Sequence, residues 1–186
     1  MTFYNIIFAV LFFGAVRELF MAAVDFRPLQ LLMASTLALV VFNDTLYTSH
    51  SLHEDKATYT VGMKLLDLGS FLVLASAIFI LSPGATYFVN RPSDWDVDPQ
   101  TKSTLFWLVL TGYWFLALGW NRLAERAMPQ IPKSKSWITQ SMFVLPLLAF
   151  VVSLFRNDCA NIVAGAIVLV PLLLYVVVYK PLRPDR

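Results

Sequence analysis

Residues 59–81 read YTVGMKLLDLGSFLVLASAIFIL. Lys64 and Asp67 are the only charged residues in this segment, which as a whole is long enough to cross a hydrocarbon core of about 30 Å as a helix. Apolar side chains fall on every face of such a helix rather than in one stripe, so its surroundings are lipid or other apolar helices. Working outward, similar stretches run from Phe3 to Ala22, Pro28 to Tyr47, Thr104 to Asn121, Ile138 to Phe155 and Ile162 to Tyr179. The pattern predicts an all-α polytopic membrane bundle of six spans. It falls to five if the first segment lies in the interface, because Arg17 and Glu18 interrupt its last third.

Composition agrees with this class. Of 186 residues, 58% are apolar and 14% charged, against about 25% charged in soluble domains. Six spans leave no room for a separate soluble domain, so residues 1–186 are expected to form one integral membrane domain. A formal charge of +2 supplies no field to gather nucleic acid. The N-terminus lacks a basic region and a small-residue cleavage site, so the first segment is expected to be retained as a helix.

Punctuation supports the parsing. Pro28 and Pro99 stand where helices can begin, Asp98 can cap the second of these, and Ser82-Pro83-Gly84 closes the third segment. With six spans, Lys56, Lys64, Arg122, Arg126, Lys133, Lys135, Lys180, Arg183 and Arg186 share the face that carries both termini. Arg17, Arg27, Arg91, Lys102 and Arg156 share the other. The positive-inside rule then puts both termini in the cytoplasm, and the expected location is a bacterial inner (plasma) membrane. Gly14, Gly69, Gly112 and Gly165 are the small residues expected at helix contacts.

Charged residues inside a span cost about 2.5–3.5 kcal/mol each on insertion scales and therefore face protein or a watery cavity. Asn43 and Asp44 end the second span, while Lys64 and Asp67 lie three apart at the start of the third. A tight connection through residues 48–58 is expected to bring all four to one depth. Either the amine and acids form a structural ion pair, or the excess carboxylate attracts a cation or proton. Arg17 and Glu18 make a second polar site; adjacent helical residues point about 100° apart, so the two need not pair with each other, and they are expected either to snorkel into the outer headgroups or to contact another helix or subunit. Pro146 and Pro171 stand near the middle of the last two spans, where each frees a carbonyl, that of Met142 or Ile167, for a hinge or a cation.

Other patterns carry less. His50, His53 and Glu54 do not form a metalloprotease order. Asp94, Asp96 and Asp98 imitate a calcium loop, but Pro99 stands where glycine is needed and Leu105 where glutamate is needed. Cys159 is the sole cysteine, and both histidines lie outside the spans. No metal site, cofactor or enzyme machinery is therefore expected. Aromatic residues, among them Trp107 and Tyr113, are read as packing.

These readings favour a small channel or transporter-like protein for a cation or proton, with the lipid bilayer and further copies of itself as partners. Its ion pathway would use Asp44, Lys64, Asp67 and Asn43. The alternative is a non-transporting membrane subunit or sensor that anchors a soluble cytoplasmic partner, or lipid headgroups, through Arg122, Arg126, Lys133, Lys135 and the C-terminal tail.

Overall fold

The computed structural model describes residues 3–54, 60–82, 98–127 and 134–176. These form six helices in the order α1 (Phe3–Val24), α2 (Pro28–Glu54), α3 (Val61–Leu81), α4 (Pro99–Ala127), α5 (Ser134–Ser153) and α6 (Asp158–Leu174). Among the described residues there is no strand.

Local chemistry explains the helix ends. Proline opens α2 and α4, where a missing amide costs nothing. The Asp98 carboxylate caps α4 by accepting from the backbone N–H of Gln100 at 2.9 Å and of Thr101 at 3.0 Å. Thr60 caps α3 and Asn157 caps α6 in the same manner. At the end of α1 the Arg27 N–H donates to the Ala22 carbonyl and the Phe26 N–H to that of Ala23, with Phe26 at φ 51°. This is a Schellman ending in which a phenylalanine takes the left-handed position that glycine usually fills. Arg156, at φ 53°, plays the same part after α5 and donates its N–H to the Ser153 carbonyl.

The helices close into a ring in the order α1, α2, α6, α5, α4, α3, and α2 reaches across to α3 and α4. Its centre is filled by Leu37, Val40 and Val41 of α2, Leu74 of α3, Phe106, Trp107 and Leu110 of α4, and Leu172 of α6. The outside is equally apolar: Val10, Phe13 and Phe20 of α1 and Leu65 and Leu72 of α3 point outward. Exposed apolar surface on this scale belongs against lipid or another protein.

By length and composition three helical segments qualify to cross a membrane: Ile6–Val24, Val61–Leu81 and Pro99–Ala124. The expected six are not reached among the described residues. Pro28–Asp44, Met142–Ser153 and Asp158–Leu174 are apolar but shorter. In α2 the apolar part stops at Asn43-Asp44, although the backbone stays helical to Glu54. The tight connection expected from residue 48 is therefore helix as far as residue 54. The first segment packs along α2 and buries Phe8, Leu11 and Ala15.

Three of the four glycines expected at contacts sit against a neighbour: Gly14 against Ile78, Gly69 against Leu116, and Gly165 against Leu32 and Trp107. Gly112 does not, since a methyl group there would meet nothing within 4 Å. It lies on a face of α4 that no helix covers closely.

Candidate functional site

Four helices bring acids and phenols together at the end of the ring opposite the α1–α2 and α5–α6 turns. Tyr113 of α4 is buried among them. Its hydroxyl donates to the Asp44 carboxylate of α2, and it lies within electrostatic range of Asp67 of α3 and Tyr175 at the end of α6. Asp44 and Asp67 act on one another in turn. Asp67 is half-buried, and its Oδ2 atom is shut from solvent without a hydrogen-bond partner. Asn43 is half-buried next to Asp44.

Lys64 stands apart from this group. It is exposed, one turn before Asp67, and among the described residues it forms no ion pair with either acid. The expected trio of two carboxylates and an amine is thus two carboxylates and a phenol. A lysine near a helix start swings its ammonium toward water at less cost than burying it. Tyr113 was legible only as one more aromatic residue. The signal that singles it out is a phenol within the long apolar stretch of α4. Its hydroxyl lies too far out on the aromatic ring to bond its own helix backbone as that of Thr111 does, so when buried it needs a partner from another helix.

At the other end, Arg17 and Glu18 pair, which helix geometry alone does not require, and Arg17 also reaches beyond α3. Arg17 donates to Glu18 at 3.1 Å, and to the Ser82 hydroxyl beyond the end of α3 at 3.4 Å. Glu18 is 3% exposed and Arg17 54%, so the long guanidinium arm curls back over a carboxylate that points inward. Beside Glu18 a small cleft opens toward Asp25, Arg27 and Gln30. Asp25 and Arg27 pair at 3.4 Å.

A polar latch joins α4, α5 and α6 at the same end. Asp98 accepts from the Thr101 hydroxyl at 2.5 Å and from Arg156 at 3.2 Å. These bonds, with the Thr101 hydroxyl contributing most, hold its carboxyl below the ordinary carboxylate value. Gln100 bridges two residues of α6: its amide donates to Asp158, and its carbonyl accepts from Asn161 at 2.6 Å. Sequence reasoning identified Asp98 as a cap but not this network, which depends on how the α5–α6 turn meets the start of α4.

The remaining expected groups are separated from both ends' clusters or lie beyond view. Arg122 and Arg126 are exposed, one turn apart, near the end of α4. Lys133, Asp94, Asp96 and the C-terminal tail lie outside the described residues, as do the side chains of Lys135, His50, His53 and Glu54. Pro146 and Pro171 both lie inside helices, and α6 widens into a single π turn at Tyr175–Val176. Among the described residues no group of three His, Cys, Asp or Glu side chains could hold a metal.

No protein-family model, curated protein or solved structure matches the chain.

Proposed function

We propose that the protein is a small homo-oligomeric channel or transporter-like membrane protein for a cation or proton, and that Asp44, Asp67 and Tyr113 form its ion-handling group. The observation that carries this reading is the Asp67 carboxylate, with one oxygen shut from solvent and unbonded, set near a second carboxylate where four helices meet. Two neighbouring acids in a sheltered site favour taking up a positive charge, which relieves their repulsion. Packing alone would be better served by apolar residues of similar size. In this reading all six helices cross the bilayer of a bacterial inner membrane, with the acidic group toward the cytoplasm. A ring this small is filled at its centre, which makes association of several copies the natural way to enclose a wider path.

A second reading draws on Arg122 and Arg126, exposed together on α4: a non-transporting subunit that anchors a soluble partner or anionic headgroups through basic side chains.

Ion flux into liposomes containing the purified protein tests the two. Transport lost in Asp67→Asn and Asp44→Asn, with the oligomer intact, supports the first. Silent liposomes, together with a soluble protein captured only while Arg122 and Arg126 are present, support the second.

A further inference from the structure

Where side chains of α4 and α6 meet across the ring, three buried polar atoms have no hydrogen-bond partner: Ser103 Oγ, Trp107 Nε1 and Asn161 Oδ1. All three residues are 0% exposed. They share one short seam. Ser103 and Trp107 are successive turns of one α4 face, and Asn161 and Gly165 are successive turns of the α6 face opposite. Gln100 touches Asn161 at the lower turn, and a methyl group on Gly165 would stand 3.4 Å from the Trp107 ring at the upper.

The direction of the Asn161 amide is forced. Asp158 can only accept, so it takes the Gln100 N–H; the Gln100 carbonyl then takes the Asn161 N–H, which leaves the Asn161 oxygen facing the seam. The seam therefore presents an acceptor, a donor, and a hydroxyl able to do either. Water matches this set, donating to Asn161 and accepting from Trp107, with Ser103 joining it to the next molecule. A bare metal ion does not match. It needs about six oxygen ligands, whereas the seam offers two neutral oxygens and an N–H whose positive end repels it.

We infer that the α4–α6 seam holds a short file of water and that the ion moved by this protein is the proton. The inference rests on the transport reading above and names its substrate. Water enters beside the Gln100–Asp158 latch, and the file ends against Leu110 and Trp114. In this arrangement Leu110 and Trp114, the next turns of the α4 face that carries Ser103 and Trp107, stand between the file and Tyr113, against whose ring Trp114 packs edge-on at 5.3 Å. The path is closed at rest and conducts when they shift. An excess proton carried on the water file as hydronium then passes to the Tyr113 oxygen, leaving neutral water, as the Tyr113 hydroxyl proton passes to the Asp44 carboxylate. Release of that proton from Asp44 at the far end restores the starting charge.

Two measurements on the full chain in liposomes decide the matter. Hydroxyl radicals formed by X-ray radiolysis of bound water oxidise side chains beside that water. Trp107 should be oxidised, while Phe106, equally buried with its ring 4.9 Å away, should not. In Ser103→Ala with Asn161→Leu, Trp107 oxidation should fall to background. Failure of wild-type Trp107 to react at a dose that labels exposed Phe155 overturns the hydrated seam, whether or not the double variant folds. Under a pH gradient, proton uptake should be abolished in Tyr113→Phe. No proton flux in the wild-type protein overturns the inference. If sodium or potassium then moves in an Asp67-dependent way, the acidic group keeps its transport role. If no ion moves, both readings fall.

Discussion

The Tyr113 hydroxyl hydrogen-bonds the Asp44 carboxylate across the α2–α4 contact at the middle of the ring. This bond ties the helix that ends its apolar run in an acid to the helix that contributes most of the aromatic core. It also fixes one of two neighbouring carboxylates while the other, Asp67, keeps an unbonded oxygen. The asymmetry gives the acids different tasks. Asp44 is held in place and is bonded to a proton-bearing group, whereas Asp67 has the capacity to take a new partner.

Tyr113→Phe should lower stability by about 1–3 kcal/mol, the cost of leaving a sheltered polar group without its bond. Asp44→Asn, which can still accept from the phenol, should cost less. Thermal unfolding in detergent, followed by helical circular dichroism, ranks the two. Equal stability of wild type and Tyr113→Phe would show that the bond contributes nothing to the fold.

The fold class was legible because hydropathy is a local property, and so were the helix starts at Pro28 and Pro99 and the cap at Asp98. Partnerships were not. Lys64 and Asp67 share an element at favourable spacing, yet Lys64 turns to solvent, because spacing along one helix says nothing of which neighbour covers it. Arg17 and Glu18 differ in the opposite direction: the backbone vectors diverge, yet the length of the arginine arm lets Arg17 reach Glu18 as well as Ser82 beyond α3. Tyr113 and Asn161 acquire meaning only from the contacts α4 makes across the ring, to α2 and through Gln100 to α6, which no periodicity encodes.

Glu18 is the most deeply buried acid among the described residues, and Arg17 is its cover. Arg17→Ala should destabilise by about 1 kcal/mol, the low end for an orphaned polar group, because a guanidinium 54% exposed is partly screened by water. Adding Glu18→Gln should restore much of the loss by removing the charge that needs cover. A double variant no better than Arg17→Ala alone would show that the two residues are not coupled.

The latch at Asp98 predicts an acid-sensitive component of stability. Its carboxyl titrates below the ordinary value of 3.8 in the folded chain, chiefly through the Thr101 hydroxyl. Its contribution is therefore complete above 3.8 and disappears as pH falls through the depressed value. Asp98→Asn should remove that part of the acid dependence while stability at neutral pH falls modestly. Melting temperatures of both proteins across the acid range measure it, and parallel curves would show that Asp98 is not linked to folding.

The glycines of α4 and α6 should answer oppositely to enlargement. Gly112 faces open space, so Gly112→Ala gains helix propensity without a clash and should stabilise by up to about 1 kcal/mol. Gly165 sits 3.4 Å from Trp107 and from Leu32 at the position of a first methyl group. Alanine just fits there. Leucine must displace the indole or part α6 from α2, and should cost about 1–3 kcal/mol. Because Trp107 also lines the seam, Gly165→Leu should shift its fluorescence as well as lower the melting temperature, an effect that Gly112→Ala lacks. A Gly165→Leu protein as stable as wild type, with unchanged Trp107 emission, would mean that α6 does not press on α4 at this level.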